Sequence, residues 1–99
     1  MGTRMKVEIE IPEYSPEQGL RLLFEEDYTI KARIDNQAVV IQADRGGLTS
    51  LGRFLLTLEQ ATVLAGNHFH LDDWDGLEQG TCELIIEKIA VAGDHNADS

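Results

Sequence analysis

The chain has one cysteine in 99 residues, Cys82, so no internal disulfide can form. That fits a reducing compartment, and a lone thiol among strand-like neighbours reads as an inert core or edge group. No apolar stretch approaches the ~20 residues needed to cross a bilayer, which excludes a membrane-spanning helix. The amino terminus runs straight into an alternating pattern, without the apolar core and small-residue cleavage site of a secretory leader, so the expected location is the cytoplasm. Basic residues are scarce, with 8 Lys and Arg against 18 Asp and Glu, a formal charge of −10. Phosphate backbones and anionic lipids repel such a chain, so direct nucleic-acid or membrane binding is not expected and a basic protein partner is favoured. Solubility alone is the plainer explanation of the acidity.

The shortage of positive charge is extreme over Phe54 to Glu87, which holds seven carboxylates and no Lys or Arg. The 42% apolar content is ordinary for a globular protein, and the length suffices for one core. One domain over residues 1–91 is expected, with residues 92–99 a polar, aperiodic tail. Repeats and low-complexity tracts are lacking.

Met5 to Ile11 alternates, with Val7, Ile9 and Ile11 on one face, as a half-buried strand does. Pro12 ends it. Ser15 to Gln18 has the form of a helix start, with Leu20, Leu23 and Phe24 following at helical spacing, although Gly19 weakens this short element. Thr29 to Ile34 and Ala38 to Ala43 read as two strands joined by a turn at Asp35 to Gln37. The clearest helix follows, capped by Asp44 and carrying Leu48, Leu51, Phe54, Leu55 and Leu58 along one stripe. Gly46 and Gly47 in its first turn imply close backbone approach or a tight passage from strand to helix. Asn67 to Leu71 and Thr81 to Ala90 alternate again as an antiparallel pair around the loop Asp72 to Gly80. The expected fold is α+β: an antiparallel sheet of about five strands with one long helix, and optionally one short helix, on one face.

Chemistry has little to use. Ser15, Ser50 and Cys82 lack the surroundings of an activated nucleophile, and Asp44 to Leu48 is too short for a phosphate-binding glycine loop. No carboxylate pair is singled out by spacing, so an enzyme is not expected, and neither is a cofactor. His68 and His70 share one side of a strand that Asp72 continues. Those three could hold a divalent metal, but no further Cys or His is well spaced and His95 lies in the tail. A structural or surface role ranks first, a partner contact second and a metal last. The loop Asp72 to Gly76 is more suggestive. Trp74 among acids could anchor a cationic partner, or it could fold back over the core edge and leave the acids merely solvated.

Between Gly46 and Lys88 the chain carries Gly47-Leu48-Thr49-Ser50-Leu51, Leu55-Leu56-Thr57-Leu58, Gly66-Asn67-His68-Phe69-His70-Leu71-Asp72, Leu77-Glu78-Gln79-Gly80-Thr81 and Glu83-Leu84-Ile85-Ile86-Glu87-Lys88. In the order and spacing of these pieces it resembles the bacterial family Immunity protein 32. It departs at Gly52, where Ala would suit a helix better, and at the loop tip Asp73 to Asp75. The resemblance implies a non-catalytic partner of a secreted toxin in a polymorphic toxin system, binding and neutralising it in the producing cell's cytoplasm. Toxins of such systems are often basic nucleases. The expected contact surface is Asp72, Asp73, Trp74, Asp75, Glu78, Glu83 and Glu87, with His68 and His70 beside them. Two other readings remain: an acidic interaction or regulatory module, and a small metal-binding protein using His68, His70 and Asp72.

Overall fold

The structure, a computed structural model, describes residues 3–90. The expected tail at 92–99, His95 included, and the domain boundary at residue 91 lie outside the described residues. Strands β1 (Ile30–Asp35) and β2 (Ala38–Ala43) form an antiparallel hairpin, followed by helix α1 (Arg45–Glu59), then β3 (His68–Leu71) and β4 (Leu84–Glu87) as a second antiparallel hairpin. Asp35 pairs with Ala38, leaving Asn36 and Gln37 as a two-residue loop in which both have positive φ, 55° and 71°. A turn of that kind matches the right-handed twist of the flanking strands.

The α+β class holds, but the single five-stranded sheet does not. Among the described residues there are four strands in two small sheets. Met5 to Ile11 is not a strand: among the described residues it pairs with no neighbour, and Met5 and Val7 stand exposed. The Glu10 carbonyl within it and the Pro12 carbonyl just beyond it meet side chains of Arg53 in α1 and of Gln60, the residue that caps α1, instead. Arg53 Nε donates to the Glu10 carbonyl at 2.9 Å, and Gln60 Nε2 to the Pro12 carbonyl at 3.0 Å. The optional short helix also fails. Ser15 to Gly19 makes one turn, closed by the Gly19 N–H on the Ser15 carbonyl at 2.8 Å, and Gly19 then turns left-handed at φ 70°. Left-handed glycine is a helix terminator, so the pattern of Leu20, Leu23 and Phe24 has no helix to continue.

Asp44 caps α1 as expected. Its Oδ1 accepts from the Gly47 N–H at 2.8 Å and from the Thr29 N–H at 2.9 Å, clamping the start of the helix to the approach to β1. A Cβ on Gly46 would collide with the Asp27 carbonyl and one on Gly47 with the Thr29 carbonyl, so both glycines serve the close approach. This clamp sets the rotation of the helix. The buried face is Gly47, Ser50, Phe54, Thr57 and Leu58, while Leu48 and Leu55 of the expected stripe are exposed. Two hydroxyls are admitted to that face because each has a partner: Ser50 Oγ accepts the Glu25 N–H at 2.8 Å, and Thr57 Oγ1 donates to the Arg53 carbonyl at 2.7 Å. The helix lacks a basic residue in its last turn; Lys88, just past β4, donates through Nζ to the carbonyls of Gln60 and Val63 at 2.8 and 2.7 Å. A cation there suits the negative end of the helix dipole.

The two hairpins share one core of Ile30, Ala32, Phe54, Leu58, Val63, Phe69, Leu71, Leu77 and Leu84. They are stitched along the edge of β1 away from β2. The Glu78 N–H donates to the Ile30 carbonyl at 2.9 Å and the Cys82 N–H to the Ala32 carbonyl at 2.8 Å. Between them Thr81 Oγ1 accepts the Ala32 N–H at 2.6 Å. A side-chain hydroxyl thus replaces a peptide group in the ladder. Cys82 is a half-buried free thiol packed against this core.

Candidate partner-binding face

The register of the second hairpin sorts its residues. Phe69 opposite Ile86 and Leu71 opposite Leu84 face the core, so His68 opposite Glu87 and His70 opposite Ile85 face out. Glu83, one residue before β4, is exposed on the same outward side as Ile85 and Glu87. His70 Nε2 lies 3.1 Å from Glu83 Oε2 and 3.9 Å from Asp72 Oδ2. The histidine therefore sits between two carboxylates, one from each arm of the hairpin.

His68 does not join them. Its Nδ1 is 3.4 Å from the Gly66 carbonyl, so the trio His68, His70 and Asp72 is not assembled. The group that does converge is His70, Asp72 and Glu83, with potential ligand atoms within 4.8 Å of one another. Sequence spacing placed Glu83 on the expected contact surface but did not link it to His70, because it is distant in the chain and reaches His70 only through the strand register. A surface histidine placed between two carboxylates accounts for this arrangement without an ion.

Beyond β3 the chain makes a tight tip. The Asp72 and Asp75 peptide groups exchange hydrogen bonds of 3.2 and 3.1 Å, and Asp72 Oδ1 accepts the Trp74 N–H at 3.0 Å. Asp73 and Trp74 occupy the corners of that turn. Gly76 then takes a left-handed φ of 102°, with the Phe24 ring and Leu71 where its side chain would be, and Leu77 is buried. Phe24, Leu71 and Leu77 thus form the core edge at the base of the tip. Trp74 is 93% exposed, so it does not fold back over the core.

Asp73, Asp75, Glu78, Glu83 and Glu87 are all exposed and Asp72 is half-buried. Asp75 and Glu78 lie near Tyr28, whose pKa is raised by partial burial first and then by these two carboxylates. Tyr28 stacks on Phe24 with ring centroids 4.6 Å apart, and Phe24 meets Phe54 edge-on at 4.9 Å. The base of the acidic loop is thereby set on an aromatic column that reaches the core. The arrangement offers a large unpartnered indole at a rigid tip, with carboxylates on either side of it. Among the described residues no helix is long and apolar enough to cross a membrane.

The family model described as Immunity protein 32 matches residues 38–89, from the start of β2 through α1, the acidic tip and β4. No curated protein and no solved structure matches the chain. The matched segment exceeds half of the chain and contains the whole tip and both strands that carry it, and on that ground the chain belongs to the Immunity protein 32 family.

Proposed function

We propose that this chain is a single-domain immunity protein that binds a cognate toxin and blocks it without catalysis, in the cytoplasm of the cell that makes both. The contact surface is the tip and outer face of the second hairpin: Trp74 as the anchor, Asp72, Asp73, Asp75, Glu78, Glu83 and Glu87 as the charged surround, His68 and His70 beside them. The toxin is basic, and a nuclease whose phosphate-binding cleft receives these carboxylates fits the charge best. The observation that carries the reading is Trp74, 93% exposed on a turn tied down by Asp72. A monomer gains nothing by holding an indole in water, whereas an interface gains a large rigid contact there.

Co-expression with the product of the adjacent gene tests this: growth is rescued and the two proteins co-purify. In the purified complex Trp74→Ala weakens binding by about 2 kcal/mol or more, the usual scale of an interface anchor, with the melting temperature of the free chain unchanged. The association rate falls between low and physiological salt, because exposed charges steer the encounter. A rate indifferent to salt, together with an unaltered affinity for Trp74→Ala, sinks the proposal.

A further inference from the structure

The outer edge of β2 is open and uncharged. In a hairpin with a two-residue loop the pair flanking the loop exchanges hydrogen bonds, and bonded pairs alternate from there. With Asp35 opposite Ala38, the peptide groups of Ala38, Val40 and Gln42 turn toward β1, and those of Val39 and Ile41 turn away. On β1 the same alternation turns Ile30 and Ala32 toward Glu78, Thr81 and Cys82, where they are hydrogen-bonded. Among the described residues no backbone group meets Val39 or Ile41.

Edge strands are ordinarily blunted by a charge, a proline or a bulge. Ala38–Ala43 has none of these in a chain of charge −10. Its side chains deepen the anomaly. Val39 is 67% exposed and Ile41 41%, and Ile34, paired with Val39 on the same face, is 69% exposed. This face continues the core surface of Ile30 and Ala32 beyond what α1 covers.

We infer that β2 is a self-association edge, pairing antiparallel with β2 of a second copy about a two-fold axis at Val40 and making one four-stranded sheet from two hairpins. In that register Val39 lies opposite Ile41 of the second copy, and their outward peptide groups satisfy one another. Charge selects the occupant. The six residues of β2 carry no charge, and the groups flanking it are of both signs, Lys31 and the Arg33–Asp35 ion pair on the adjoining strand and Asp44 and Arg45 just after β2, so a basic partner finds no acidic surface there, whereas a second copy brings an equally neutral strand. An isologous contact sets a patch against itself, so in a strongly acidic chain it must avoid the acids, and this strand does. The β1 strand separates this edge from Glu78 to Cys82, so the pairing is independent of the toxin-binding proposal.

Sedimentation across micromolar to submillimolar concentrations, with amide exchange followed by NMR, tests it on the full chain. The expected result is a reversible dimer of twice the 11.0 kDa chain mass. The Val39 and Ile41 amides then exchange about ten-fold or more slower in concentrated than in dilute samples, while Val40, bonded to Arg33 in either state, changes little. Val39→Pro removes only an outward N–H and Ile41→Lys places a cation on a partly exposed site; each gives a monomer with an unchanged far-UV spectrum. A monomer at every concentration overturns the inference, as does a dimer that survives in a folded Ile41→Lys variant, or exchange at Val39 and Ile41 that ignores concentration. Protection of those two amides by a bound toxin, with the free chain monomeric, also overturns it.

Discussion

Replacing Thr81 by valine removes one oxygen and keeps the side-chain shape, and it strikes the link between the two hairpins. Thr81 Oγ1 accepts the Ala32 N–H at 2.6 Å and can donate to the Ala32 carbonyl at 2.8 Å. Ala32 has no solvent exposure, so valine leaves its N–H without a partner. Its carbonyl keeps the Cys82 N–H at 2.8 Å and is not orphaned. One buried unsatisfied donor costs about 1–3 kcal/mol. Serine retains the hydroxyl and loses one half-buried methyl, a change worth less than about 0.8 kcal/mol. Thr81→Val is therefore expected to lower stability by about 2 kcal/mol, or about 10 °C in melting temperature for a domain of this size. Thr81→Ser should stay within a few degrees of the parent. Urea and thermal unfolding should be followed by far-UV circular dichroism, since exposed Trp74 changes its surroundings little on unfolding. Faster exchange of the Glu78 and Cys82 amides in the valine variant would localise the loss to the junction. A valine variant as stable as the serine one would refute the role given to the hydroxyl.

Two other perturbations have definite signs. Gly47→Ala and Gly52→Ala are identical in helix propensity, each favoring the helix by about 1 kcal/mol, yet Cβ at 47 meets the Thr29 carbonyl while Cβ at 52 meets nothing within 4 Å. Chemical denaturation should show the first destabilised and the second stabilised by about 0.5–1 kcal/mol, and equal shifts would contradict the packing. Asp44 has its pKa lowered, first by the Gly47 N–H and then by the Thr29 N–H. A depressed folded-state pKa means that its contribution is complete above the ordinary carboxylate range and lost as pH falls through the lowered value. Asp44→Asn should thus be less stable than the parent at neutral pH, with the gap closing below about pH 4; a gap constant with pH would remove the carboxylate from the account.

Local pattern and turn chemistry settle the first hairpin, the Asp44 cap, the helix and the outward faces of β3 and β4, because each depends on residues close in sequence. Alternation identifies Ile30 and Ala32 as inward and Lys31 and Arg33 as outward, and the paired glycines announce a close approach. The same alternation misleads at Met5 to Ile11. A strand needs a neighbour's edge as well as a period, and the carbonyl of Glu10 in that segment and that of Pro12 just after it are taken by Arg53 and Gln60.

Tertiary structure decides whatever depends on which distant groups meet. The rotation of α1, and hence the burial of Ser50 and Thr57 while Leu48 stays in water, follows from the clamp of Asp44 on Thr29 and from the backbone contacts at Gly46 and Gly47. The partners of His70 follow from the β3–β4 register, which exchanges the expected His68 for Glu83. Acidity and an isolated tryptophan are visible in the chain, but only the structure shows that Phe24, Leu71 and Leu77 make the core edge at the base of that loop and that the indole stands outside it. Periodicity states which side of an element is apolar; only packing, which must fill space and satisfy every buried polar group at once, determines what that side touches.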